Sequence, residues 1–397
     1  MTRYLAVFPF LILFSFLGSC KQQTKKIDST SVQLDSLDYY LKKYNKTKNL
    51  PGFVISKFTQ DSILFSEGYG YADITSQKPY NPKTVQMLAS VSKLFISVAL
   101  MKLVEKDSID LDVNINDYLP YKVVNPNYPD VSITIRHLAT HTASFNDSPN
   151  GGKGNIFDRK LRKENWRPVW HPHLEKYNKN IDMPLKTFLF NIFSKQGDWY
   201  TEESFYKERP GSYYNYSNYG TALLAYIIEL VSQKNYKEFT KEEIFSPLKM
   251  KSTGWNFKEV DTINHITYYN DNYKQVPQLK IIPYPDGGLY SNVEDMTKFL
   301  QEMMKGYYGK SNFLKLRFFQ EMMNSQSKLL ETNTGLIWDL DNDCCIGHSG
   351  NDFGIATMVY FDKRDQIGRI VFSNIDIQQE NQEDTFYSIF NELFRVY

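Results

Sequence analysis

The sequence predicts an α/β fold of the α+β type: an antiparallel sheet formed by N- and C-terminal strands, flanked by helices, with a mainly helical region inserted. Two observations predict it. β-Prone runs cluster towards the two ends of the chain, at 52–72 and 354–374, while segments apolar on nearly every side lie between them, at 88–106 and 221–231. Strands at the ends and helices in the middle segregate the helices from the sheet instead of alternating with it. The 397 residues are 42% apolar and 23% charged, enough to bury a large core without help from disulfides or metal.

The elements follow in order. Residues 1–19 have a basic start at Arg3 and an apolar run from Leu5 to Leu17. At about 13 residues this run is shorter than the roughly 20 of a membrane-spanning helix, and the segment is expected to be a signal peptide. Residues 20–30 begin at Cys20 and continue as the polar KQQTKKIDST, which reads as a tether. Leu34, Leu37, Leu41 and Tyr44 recur at helical spacing and predict an amphipathic helix over 31–46. GFVISKF (52–58) and SILFSEGYGYA (62–72) flank a short Thr-Gln-Asp turn and predict a hairpin. LASVSKLFISVALMKLVEK (88–106) and TALLAYIIELV (221–231) predict two buried helices. The polar stretch 144–182 between them is a long loop of the kind that rims functional sites. GIATMVYF (354–361) and IGRIVFSN (367–374) predict a second hairpin, and a helix from about Glu383 to Val396 closes the chain. The folded domain is expected to run over 31–397, with a sheet region about 31–80 and 285–397 and a helical region about 81–284.

Charge excludes one class of partner. Lys plus Arg number 46 against 45 Asp plus Glu, so no basic excess exists to hold nucleic acid. Cys344 and Cys345 are adjacent, and a bridge between neighbours closes an eight-membered ring, so buried free thiols are expected.

Candidate chemistry begins with Ser90 and Lys93, an S-x-x-K at the start of the first buried helix. Positions i and i+3 share a helix face with Cβ atoms about 5–6 Å apart, so an ammonium can reach the hydroxyl. A helix start adds free N–H groups where an oxyanion would form. Burial disfavours a charged lysine in general, and a neutral one can take a serine proton. The motif is not specific alone, since Ser204, Ser246 and Ser325 also precede a lysine by three residues, but none of them opens a long apolar helix. Tyr216-Ser217-Asn218 lies just before the second buried helix, where a phenol near an ammonium can act as base and acid. His348-Ser349-Gly350 stands before a predicted strand. Its glycine would let a substrate backbone approach closely, and the Asn351 N–H would donate towards an oxyanion.

In this order and spacing the three motifs resemble the serine β-lactamase and penicillin-binding-protein-like superfamily, in its class C-like branch of D-alanyl-D-alanine carboxypeptidases, D-aminopeptidases and esterases. The resemblance extends to GYGYAD (68–73), LDVNINDYLP (111–120), ITIRHLATHT (133–142), PGSYYNYSNYG (210–220), DGGLYSNVEDMTKFL (286–300) and GHSGNDFG (347–354). It implies the β-lactamase/transpeptidase-like fold and an acyl-enzyme on Ser90, with Lys93 as neighbouring base or electrostatic partner and Tyr216 as proton shuttle. Asn218 would hold the substrate amide and Lys93, while His348, Ser349, Gly350 and Asn351 would line the substrate and oxyanion side. The expected substrate is a small D-amino-acid peptide, a β-lactam or an ester; the alternative is a catalytically silent cell-wall or partner-binding lipoprotein on the same scaffold. Where β-lactamases usually place a lysine, this chain has His348, which shifts weight from β-lactamase towards peptidase or esterase work.

Leu17-Gly18-Ser19-Cys20 resembles a bacterial lipobox, with cleavage before Cys20 and acylation of its thiol. Loss of residues 1–19 removes Arg3 and leaves 45 charges of each sign, so membrane attachment would come from the acyl chains. The protein is therefore expected in the bacterial cell envelope, at the periplasmic face or the outer membrane, as a monomer. No phosphate loop or dinucleotide fingerprint occurs, and no cofactor is expected. His171 and His173 lack a further ligand at metal spacing, and His137 and His141 read as scaffold, so no metal is expected either.

Overall fold

The computed structural model describes residues 29–326, 333–341 and 344–395; the expected signal peptide and Cys20 lie outside them. The sheet uses both ends of the chain. Its strands are β1 (Gly52–Phe58), β2 (Ile63–Asp73), β3 (Lys78–Pro79), β4 (Asp339–Leu340), β5 (Cys345–Asp352), β6 (Ile355–Asp362) and β7 (Ile367–Ser373). Their order is β3-β2-β1-β7-β6-β5-β4, with each neighbouring pair antiparallel. The two ends meet where β1 pairs β7 from Phe53↔Ser373 to Phe58↔Gly368.

Period-two alternation decides what covers each face. Phe53 and Ile55 of β1 pack with Val371 against α1 (Ser29–Thr47) and α5 (Glu380–Glu392), through Leu37, Leu41, Phe386 and Ile389. Val54 and Phe58 face the other way, into the larger core. There Ser56 meets Thr297 of α4 (Val293–Tyr307), the hydroxyls 3.0 Å apart. Each fully buried Phe or Ile contributes about 1.5–3 kcal/mol from area alone, so a one-residue slip of β1 would forfeit several such gains.

The apolar run at 88–106 resolves into two pieces, a 3₁₀ turn over Ala89–Ser92 and the helix α2 (Lys93–Glu105). Lys93 through Met101 are all buried, which is why this stretch is apolar nearly all round. The second buried helix, α3 (Asn218–Ser232), packs beside it. The stretch 144–182 is built of short pieces, among them a strand at Asn155–Phe157 paired with Leu279–Ile281 and a helix at His171–Tyr177.

Two expectations are corrected. His348-Ser349-Gly350 stands before the expected strand, which is β6, but is not itself a loop: it lies inside β5, whose two-residue turn at Phe353-Gly354 leads into β6. Gly354 has φ 77°, a conformation that glycine adopts at no steric cost, and it lets the hairpin close. Cys344 and Cys345 are not free thiols: they are joined to each other. Beside the pair the Asp341 N–H donates to the Cys345 carbonyl (2.8 Å). Among the described residues no helix is long and apolar enough to cross a membrane.

Candidate active site

Ser90 sits in the 3₁₀ turn and Lys93 opens α2, so the three-residue spacing is read by a tight turn rather than by a helix face. The Lys93 ammonium donates to Ser90 Oγ (3.0 Å) and to the backbone carbonyl of Asp286. Lys93 is fully buried. Asn218, expected to hold this lysine, does not bond to it; the Asp286 carbonyl takes that place because the turn at Tyr284–Asp286 passes directly behind the amine. Ser92, one turn residue on, accepts the Leu289 N–H (3.1 Å) and ties the same segment to the serine turn.

Tyr216 stands over Lys93, with Nζ 5.1 Å from the ring centroid, and its ring is 40% exposed. Two features hold it there. Its neighbour Ser217 caps α3 by accepting the Gly220 N–H (2.8 Å). The carboxylate of Asp147 accepts the Ser217 hydroxyl (2.7 Å) and the N–H groups of Asn218 (2.6 Å) and Tyr219 (3.3 Å). A negative charge at a helix N-terminus is favourable, and here it also settles the loop that carries the tyrosine. Burial pushes the Asp147 carboxyl up, and these hydrogen bonds oppose the rise.

Beneath Tyr216 lies His141, which sequence reasoning assigned to the scaffold. The short helix at Ile135–Ala139 ends before it, so the i, i+4 spacing with His137 is not two positions on one helix. His141 Nδ1 accepts the Ser217 N–H (3.1 Å), which leaves the other ring nitrogen as the protonated one. Burial, reinforced by Lys93 and His348, holds its pKa well below the usual histidine range. His348 is also held low, by burial first and Lys93 next, with Asp339 opposing. Its Nδ1–H donates to the Ser349 carbonyl. Both imidazoles are therefore neutral near pH 7.

Gly350 carries a further correction. A Cβ there would lie 2.7 Å from the Leu88 carbonyl oxygen and 2.8 Å from the Ser90 nitrogen. The missing side chain admits the serine turn, not a substrate backbone.

Two cavities flank Ser90. One, about 380 Å³, is lined by Tyr216, His348, Ser349 and Asn351, with Asp339 and Glu383. The other, about 290 Å³, is lined by Asn218 and Asn351 with Asp147, Asp286 and Asp352. The structure thus brings Ser90, Lys93, Tyr216, Asn218, His348, Ser349, Gly350 and Asn351 together. It adds His141 and five acidic residues, Asp147, Asp286, Asp339, Asp352 and Glu383, to which the sequence reading gave no role at the site. A single acidic residue carries no local signal of its neighbours, and only the fold reveals that these converge.

The chain is similar to several known proteins. The chain is 29% identical over 297 residues to the mitochondrial serine beta-lactamase-like protein LACTB of Homo sapiens, covering 65% of this chain and 54% of the human one. It thus spans about half the length of that relative. It is 26% identical over 348 residues to penicillin-binding protein 4* of Bacillus subtilis (strain 168), covering 82% and 67%. In fold it is similar to the octameric penicillin-binding protein homologue from Pyrococcus abyssi, with TM-score 0.66 and 23% identity over 90% of this chain and 76% of that one. A family model described as Beta-lactamase matches residues 37–392, nearly the whole described length, and the chain belongs to that family.

Proposed function

We propose that the protein is a serine hydrolase that works through an acyl-enzyme on Ser90, cleaving amide or ester bonds in D-amino-acid peptides, β-lactams or small esters. The observation that carries this reading is the 3.0 Å contact between a fully buried amine and a hydroxyl at the junction of two cavities. Ser90 Oγ attacks the scissile carbonyl, and its proton passes through Lys93 and Tyr216 to the leaving group as the amide or ester bond breaks. Water then attacks the Ser90 ester, gives its proton to the same pair, and Ser90 recovers its hydroxyl. The N–H groups of Ser90 and Asn351 are assigned to the oxyanion. A neutral His348, in place of a lysine, offers little to a β-lactam carboxylate, which supports peptidase or esterase chemistry over β-lactamase work.

The same proposal places the protein in a bacterial cell envelope, held by acyl chains on Cys20. Intact-protein mass spectrometry tests the chemistry on full-length protein in detergent. Exposure to a fluorophosphonate is expected to add the reagent's mass less HF, since fluoride leaves phosphorus as the serine proton is lost, and exposure to a penicillin its full mass, to the native chain and not to Ser90→Ala. A lasting penicillin adduct would point to peptidoglycan peptides, and a fluorophosphonate adduct alone to esters and D-amino-acid amides. No adduct with either reagent would sink the reading and favour a silent binding protein.

A further inference from the structure

The smaller cavity beside Ser90 is lined by three acidic side chains, with Lys93 behind the Asp286 backbone and outside the lining. Asp147, Asp286 and Asp352 line it, and its lining includes no Lys, Arg or His. Asp147 is engaged at the start of α3, and Asp352 accepts the Phe353 N–H (2.8 Å). Asp286 differs from both. It is only 6% exposed and lines the cavity, and among the described residues its side chain accepts no hydrogen bond and forms no ion pair. A nine-tenths buried carboxylate without a donor is costly unless something else brings the donor.

We infer that this cavity is a subsite for an ammonium group on the acyl portion of the substrate. The inference rests on the acyl-enzyme reading and adds the substrate class: amides or esters of an amino acid whose amino group is free. Orientation follows from the two asparagine and tyrosine walls. Asn218 lines this cavity and Tyr216 the opposite one, so the acyl part lies here and the leaving group there. The size, about 290 Å³, suits one small residue. A compact metal cage is a poorer fit. Among the described residues only Cys344, Cys345 and Asp362 bring ligand atoms within 4.8 Å of one another, so the three carboxylates ring the cavity without converging on a point. An anionic acyl group would find no cationic side chain in this lining.

The titration of these groups agrees. Burial, with Asp147 and Asp352 as neighbours and Lys93 opposing, pushes Asp286 up to about 8, and burial pushes Asp352 up to about 6. Such acids are poised to give up protons when a cation arrives.

The test reads protection of Ser90 in the full-length protein. The rate of fluorophosphonate labelling is measured against alanyl-alanine amides of both configurations, each with a free or an acetylated amino terminus. The free-amine form of one configuration is expected to protect at least about 10-fold more effectively than its acetylated partner. In Asp286→Asn and Asp352→Asn that ratio should fall towards one, and the label itself reports whether each variant is folded. Equal protection by free and acetylated forms overturns the inference while leaving the acyl-enzyme reading standing. Protection by calcium chloride alone, without amide, overturns it in favour of a metal. Absence of any labelling of Ser90 removes the underlying reading and the inference with it.

Discussion

His141 stacks under Tyr216 with ring centroids 4.5 Å apart and planes inclined by 30°, while its Nδ1 accepts the Ser217 N–H. One neutral ring thus supports the tyrosine from below and fixes the backbone that carries it. His141→Ala leaves that N–H buried without a partner, at a cost of about 1–3 kcal/mol in denaturant unfolding. Because the ring acts through Tyr216, kcat should fall more than KM rises. His141 has φ 56°, which asparagine tolerates, so His141→Asn should recover part of the stability but not kcat. A variant that loses KM and keeps kcat would show that His141 does not position the tyrosine.

Ser90→Ala should abolish turnover, by a factor on the order of 10³ or more, with stability changed by less than about 1 kcal/mol. The stability expectation has a specific basis: Lys93 keeps the Asp286 carbonyl as acceptor after the hydroxyl is gone. Steady-state kinetics on an ester substrate and a urea titration check the two halves separately.

Gly350→Ala introduces a methyl group against the Leu88 carbonyl and the Ser90 nitrogen, neither of which can move without shifting the serine turn. Overpacking of this kind costs about 1–3 kcal/mol. The rate of probe addition to Ser90 should drop together with the unfolding midpoint. Unchanged labelling at lowered stability would show that β5 yields and the serine turn does not.

Stability should depend on pH through Asp376, which is 3% exposed and accepts the Gln378 side-chain N–H (3.0 Å). Burial pushes its pKa up to about 7, well above the unfolded value. The folded state therefore holds this proton more tightly. Its contribution is complete below about pH 4 and is lost as pH rises through about 7. Asp376→Asn cannot ionise and is spared the loss. Its melting temperature should match the native protein near pH 3.5 and exceed it from about pH 7 upwards, with about 1.4 kcal/mol at stake per pKa unit. Other titrating groups cancel in the comparison, and a difference that stays constant across that range would rule the explanation out.

Much of this protein was legible along the chain because the determining forces are local. The β-prone run at 52–58 and the all-apolar character of 88–106 state which segments must be buried, and S-x-x-K places Lys93 within reach of Ser90 by covalent spacing alone. Boundaries were less legible. The serine stands in a 3₁₀ turn, and the His348 motif lies within a strand, because pairing of β5 with β6 extends the strand through residues that have no strong β preference of their own.

The tertiary structure alone decided the rest. It gave Gly350 the task of admitting the serine turn, took the Lys93 amine to the Asp286 carbonyl instead of Asn218, and set His141 beneath Tyr216. It also drew Asp147, Asp286 and Asp352 from three distant segments to the wall of one cavity. Local sequence carries side-chain identity and the periodicity of burial. Which charged groups face each other across a cleft depends on long-range closure of the chain, here the pairing of β1 with β7, and no short window of residues contains that information.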